Sequence, residues 1–191
     1  MPTVPNPCAL RTIPKSIGTQ SLPYWQICGT SHDARIETLM NLLLIQIVTT
    51  VSMTAVIWFV QLVQYPSFAK VGAAGFPDFH ALHSARITFI VAPLMIAEAV
   101  SAIALVWRPT SGVASWEVWA GLGLLVIIWA STFLLQVPMH TKLGGGFDAD
   151  AWRFLVRSNW VRTIAWTLRA GLVIVWLQRA LDQALRLGLG R

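Results

Sequence analysis

Three of the four histidines in this 191-residue chain fall where they can act together. His80 and His83 stand three residues apart in FPDFHALHSARI, Arg86 follows after three more, and His140 lies near the end of a later apolar run. On a helix, H-x-x-H places both rings on roughly one side. With His140, His80 and His83 can make a three-imidazole site for iron, copper or zinc. Haem held by two of these histidines is the weaker version, since no further ligand set supports it. Without a metal, His83 or His140 serves as general base on an acidic C–H or O–H, and Arg162 and Arg86 stabilise the anion that results. Against both stands the plainer reading, in which all three rings are polar residues at headgroup level.

Other polar residues point the same way. Asn159, Arg162, Trp166 and Arg169 follow 3-4-3 spacing and form one stripe of a helix. Gln136 and His140 are i,i+4 neighbours, and Thr50, Thr54 and Gln61 make a softer stripe, with Tyr65 just beyond. Gln61, Gln136, Asn159 and Trp166 are the candidates for orienting a substrate. His80 and Glu98 are 18 residues apart, five full turns, so they share a face with Glu98 about 27 Å further along. A carboxylate at that depth costs several kcal/mol unless paired, protonated or wet. Arg169 lies at a similar depth, and Glu98–Arg169 is expected to be a structural ion pair.

The elements that must carry these residues are spanning helices. The chain is 55% hydrophobic and 12% charged, about half the usual charge of a soluble domain, and its mean hydropathy is +0.62. Four segments, at about 39–63, 87–107, 116–137 and 161–181, are long enough to cross a ~30 Å hydrocarbon core. Alternation of period two, which a membrane barrel needs, is absent. The expected fold is an all-α integral membrane four-helix bundle. Pro77 suits the first turn of a helix running through HALHSARI into the second span. The aspartates of KLGGGFDAD suit a cap, and DAWRFLVRSNW reads as a short interfacial helix before the fourth span.

Domain organisation is then a tail at 1–38 and a transmembrane domain at 39–191. The tail is proline-rich and polar and is expected to be disordered; it holds both cysteines, Cys8 and Cys28. Met40, opening MNLLLIQIV, stands as an alternative start. Basic residues divide almost evenly between the two membrane faces, so orientation is left open. The face holding the loops after the first and third spans is called side B below. The net charge of +6 is scattered between spans instead of forming a stripe, which argues for lipid headgroups and against nucleic acid as partner.

Around QVPMHTKLGGGFDADAWRFLVRSNWVRT the chain resembles the anthrone-oxygenase-like family of small four-helix membrane proteins. That family carries a V-P-L-N-like stretch after its third span and an N-x-V-R-T stretch opening the fourth. Here these stand as Val137-Pro138-Met139-His140 and Asn159-Trp160-Val161-Arg162-Thr163, with weaker similarity around QLVQYPSF. Two features depart from the pattern: His140 replaces asparagine, and H-x-x-H-x-x-R is not part of it. The resemblance implies oxygenation of a phenolic polycyclic substrate with no metal or flavin required. In that chemistry a base makes an electron-rich carbanion or phenolate that reacts directly with O2.

The expected function is therefore a membrane-embedded oxidoreductase, oxygenase-like, acting on a lipophilic aromatic or quinone-like molecule in a pocket at one membrane face, with bacterial inner membrane as its location. The cofactor is open between none and a histidine-bound metal. The rival is a non-enzymatic small membrane subunit or a lipid- or quinone-binding protein. Membrane lipids and a lipophilic small molecule are the expected partners, with a homo-oligomer or membrane complex left open.

Overall fold

The computed structural model describes residues 24–107 and 113–189. The chain divides into two compact units, Met1–Asn41 and Leu42–Arg191. Among the described residues all regular structure is helical. Helix α1 covers Tyr24–Phe59, and a π-helical segment at Val60–Gln64 leads into α2, Tyr65–Phe68. Helix α3 is Phe76–Trp107 and α4 is Ser115–Ser131. A second π-helical segment at Thr132–Gln136 joins α4 to α5, Val137–Gly144, and α6 is Ala149–Leu189.

Four helical stretches are long and apolar enough to cross a membrane: Met40–Phe68, Phe76–Trp107, Ser115–Gly144 and Ala149–Gln183. The protein is a multi-pass, all-α membrane protein built as a four-helix bundle. Its outer surface carries large apolar side chains such as Phe89, Trp107 and Leu134, while Gln46, Thr50, Glu98, Asn159 and Arg169 are buried. This inversion follows from a hydrocarbon solvent, in which an unpaired polar group on the outside is the costly arrangement.

Each span is longer than its expected bounds because the helices continue past the apolar core. Helical backbone reaches back to Tyr24, into the segment expected to lack structure, whereas residues 1–23, with Cys8, lie outside those described. The short interfacial helix expected before the fourth span is corrected: α6 runs unbroken from Ala149. No proline or glycine interrupts DAWRFLVRSNW, so nothing in the sequence ends a helix there. The cap is as the aspartates suggest. Asp148 Oδ1 accepts from the backbone N–H groups of Asp150 and Ala151, both at 2.9 Å. Gly146, at φ 136°, turns the chain just before it, a conformation open to glycine and strained for other residues.

A proline follows each π-segment by one residue. Pro66 and Pro138 lack an N–H, and each ring crowds the carbonyl four residues back. The helix widens just before each proline. Tyr65 N–H bonds the Val60 carbonyl and Val137 N–H the Thr132 carbonyl, five residues back in both cases. Both sites read Gln-x-Pro: Gln64-Tyr65-Pro66 and Gln136-Val137-Pro138. The extra residue in the turn changes the phase of the helix beyond it, and thereby turns Tyr65 and Phe68 into the bundle, where both are buried.

Three apolar clusters fill the interior. One near side B gathers Val60, Tyr65, Phe68, Phe76, Leu143 and Leu155. A middle one packs Met53, Ile57, Met95, Ile128 and Trp166. The third holds Leu43, Leu105, Val173 and Trp176. Between the middle and far clusters lies a polar knot. Glu98 Oε1 accepts from Arg169 Nε, from Thr50 Oγ1 at 2.8 Å and from Gln46 Nε2 at 3.2 Å. Ser101 Oγ donates to Gln46 Oε1 at 3.0 Å, and Arg169 Nη1 donates to the Gly121 carbonyl. The pair expected between Glu98 and Arg169 is thus present, and it ties α1, α3, α4 and α6 together at one level.

Candidate functional site

Near the side-B end, three helices bring a tyrosine and three histidines together. The Tyr65 hydroxyl lies 3.0 Å from His140 Nε2, and His140 Nδ1 lies 3.0 Å from His80 Nε2. His140 therefore engages both ring nitrogens, donating at one and accepting at the other. His83 stacks beside His140 with ring centroids 6.0 Å apart and has no hydrogen bond among the described residues. Phe68 sits edge-on to all three imidazoles, with centroids 5.9 Å from His80, 5.1 Å from His83 and 6.4 Å from His140. It is the post they pack around.

Helices α5 and α3 deliver these rings from opposite directions. Within α3, residues three apart step back by about 60° around the helix, so the series His80, His83, Arg86 turns outward. His80 is buried, His83 half-buried and Arg86 exposed. Arg86 is accordingly corrected: it is exposed and lies outside the wall of the cavity that the imidazoles line.

A cavity of about 650 Å³ opens beside the cluster, within the ~300–1,000 Å³ typical of small-molecule sites. Tyr65, His80, His83, Gln136, His140 and Arg162 form its polar wall. The remainder is mostly valine, isoleucine, methionine and aromatic side chain. Arg162 is the cation of the site. Its Cα lies about 20 Å along α6 from Ala149, and helix side chains lean toward the N-terminus, so the guanidinium is carried back toward side B and the Tyr65 hydroxyl. Arg162 is only 7% exposed and forms no ion pair among the described residues. Its Nη1 donates to Asn159 Oδ1 at 3.4 Å, while its Nε and the Ser84 hydroxyl, both on the cavity wall, have no partner there.

Three of the expected substrate contacts are corrected to a layer behind the wall. Asn159 Nδ2 donates to Gln61 Oε1 at 2.9 Å, and Gln61 Nε2 donates to the Val156 carbonyl at 3.2 Å. These amides are spent on each other and brace α6 against the first π-segment. Trp166 is wholly buried in the middle apolar cluster. Gln136 does reach the cavity, with its Nε2 donating to Ser158 Oγ at 2.9 Å and its Oε1 turned toward Tyr65 at 3.5 Å.

The three-imidazole metal set is also corrected. Among the described residues no group of three His, Cys, Asp or Glu side chains is placed to hold a metal ion. The physical reason lies in His140, whose two nitrogens face Tyr65 and His80 and leave none to join His83 around a common centre.

Tyr65 is the site residue that sequence reasoning passed over. Its signal was the repeated Gln-x-Pro, which marks where each π-segment turns a residue inward. The residues that converge here lie in a multi-pass helical membrane protein whose cavity has imidazoles, a phenol and a guanidinium without an ion pair among the described residues on one wall. No protein-family model, curated protein or solved structure matches the chain.

Proposed function

We propose that the protein is a membrane oxidoreductase, oxygenase-like, acting on a lipophilic aromatic or quinone-like molecule in the side-B cavity. The observation that carries this is one pairing of groups. His83, with both ring nitrogens uncommitted, and Arg162, with no counter-ion, face the same mainly apolar cavity. A base and a fixed cation in a low-dielectric pocket favour removal of a proton from a neutral substrate and stabilise the anion left behind. His83 takes the proton from a ring O–H or an activated ring C–H. Arg162 holds the resulting phenolate or carbanion, and Tyr65, oriented by His140 and His80, supplies a further hydrogen bond.

The oxidation that suits this geometry uses O2 itself, and both O2 and aromatic substrates partition into membranes. For a ring methylene, one molecule of O2 converts the methylene to a carbonyl and releases one molecule of water. Two C–H bonds are lost, one oxygen atom enters the ring carbonyl, and the other leaves as water with both hydrogens. The methylene carbon is oxidised by four electrons, which the O2 takes up. The resemblance to the anthrone-oxygenase-like family supports this class, and the bacterial inner membrane is the location we assign.

Oxygen uptake by the purified protein in nanodiscs, with anthrone as substrate, tests the reading. Uptake above the protein-free rate should disappear in His83→Ala and in Arg162→Met. Uptake unchanged in both variants would overturn it.

A further inference from the structure

The wall that α3 contributes to the cavity changes sides along the helix. His80, Ser84, Thr88, Ala92 and Ile96 all line it, at intervals of four. Each step of four advances about 40° around the helix, so the row winds some 160° from first to last, over about 24 Å of axis. It starts in the bundle interior at His80, 4% exposed, and ends on the outer face at Ile96, 55% exposed. The facing helix does the same, since Phe133 lines the cavity and is 57% exposed. The cavity is therefore a slot that begins at the imidazoles and opens sideways between the second and third spans, at the depth of the hydrocarbon core.

We infer that the ligand is an alkylated phenol loaded laterally from the bilayer, its ring at the side-B end and its chain lying along the slot toward Ile96 and Phe133. The inference rests on reading the cavity as a small-molecule site. Three features select this class. A sideways opening into hydrocarbon admits a neutral amphiphile and no hydrated ion, because charge in the core is costly. A slot that long and mainly apolar exceeds a single ring and suits a ring with a chain. At its inner end the only cation among the described residues is Arg162, facing Tyr65 from α2, His80 and His83 from α3 and His140 from α5, with no carboxylate among them. A buried guanidinium with no ionic partner calls for an anion, and the phenol becomes one in place: its O–H proton passes to a His83 nitrogen, and the phenolate stays opposite Arg162.

One probe reads both ends. A 4-nitrophenol with a 2-alkyl chain ending in a diazirine reports ionisation by its phenolate absorbance and reports the chain's position by photolabelling. In nanodiscs at a pH about one unit below the free probe's half-ionisation point, the expected phenolate fraction of bound probe is several-fold above that of free probe. Arg162→Met should abolish the increase, and Arg162→Lys should retain part of it. Removing a buried charge that has no ionic partner leaves no other charge stranded, so Arg162→Met keeps its fold and the comparison stays informative. Photolabel should fall on the peptides containing Ile96 and Phe133. Ala92→Trp should cut the labelling at least several-fold, whereas Val100→Trp, on the lipid face and off the slot, should not. Phenolate absorbance equal in wild type and Arg162→Met overturns the inference. So does label spread over lipid-facing residues such as Phe89, or insensitivity to Ala92→Trp. If probe behaviour is as expected while no oxygen is consumed with anthrone, oxygenation falls and the phenol site stands.

Discussion

His80 Nε2 and His140 Nδ1 face each other at 3.0 Å, although 60 residues separate them in the chain. One ring must donate and the other accept. His140 is also held by the Tyr65 hydroxyl on its far nitrogen, whereas His83 has no hydrogen bond among the described residues. Under the proposed chemistry, His83→Ala should lower turnover by about 10²–10⁴-fold, the usual weight of a general base. His80→Gln preserves a hydrogen-bonding partner for His140 and should cost much less. Oxygen uptake with anthrone ranks the two, and the reverse order would reassign the base.

The Glu98–Arg169 pair sets the stability of the bundle more than its activity. Glu98→Gln leaves Arg169 buried without its carboxylate, a change that typically costs about 3–5 kcal/mol. Thermal unfolding in detergent should show a large drop for Glu98→Gln and a smaller one for the double variant Glu98→Gln, Arg169→Met, in which no charge is stranded. A single variant as stable as the wild type would contradict this role.

Gly121 is required by the same knot. A Cβ there would stand 3.1 Å from Arg169 Nη1 and 3.4 Å from the Trp176 ring. The guanidinium cannot yield, because it is held by the Gly121 carbonyl and by Glu98. Gly121→Ala should lose about 1–3 kcal/mol by overpacking. Gly123→Ala, where a Cβ meets nothing within 4 Å, should be neutral or gain up to about 1 kcal/mol from helix propensity. The two unfolding midpoints should move apart.

Outside the membrane, the Asp148 cap predicts an acid limit. The hydrogen bond from Lys142, 2.8 Å away, and the N–H groups of Ala151 and Asp150 hold its carboxyl at about 2, below its ordinary 3.8. A depressed carboxyl stabilises the fold fully above the unfolded value and loses that contribution as pH falls through the folded one. The loop and the start of α6 should therefore loosen between about pH 4 and 2. Amide hydrogen exchange at Asp150 and Ala151 should rise in that window, and Asp148→Ala should show fast exchange there already at neutral pH.

If the prolines impose the π-segments, replacing them restores the bond they forbid. Pro66→Ala and Pro138→Ala each supply an N–H for the carbonyl four residues back. The helices should then re-phase toward regular α-helix and turn Tyr65 or His140 away from the cavity. Phenol binding should fall while the unfolding temperature is held or raised. Unchanged binding in both variants would show that packing alone sets the phase.

Hydropathy made the four spans legible in the sequence, because a hydrocarbon solvent leaves long charge-poor runs few alternatives to a helix. Glu98 and Arg169 were legible for a related reason: a charge at mid-membrane depth needs a partner, and few others lie at that depth. The separate helix before the fourth span was misread because basic residues among large apolar ones suit an interfacial segment and a continuing span equally. Sequence spacing also placed Arg86 with the histidines, whereas a step of three rotates each residue further outward. Which amides face a ligand and which brace a neighbouring helix depends on contacts between spans. Gln61 and Asn159 took the second role for that reason, and Trp166 went into the middle apolar cluster. By itself the sequence determined the solvent, the number of spans and the depth of each polar group, all set by composition along a single helix. Only the tertiary structure decided which imidazole stays free and where the cavity opens, since both depend on helix phase, and two π-segments shift that phase by adding a residue to the turn.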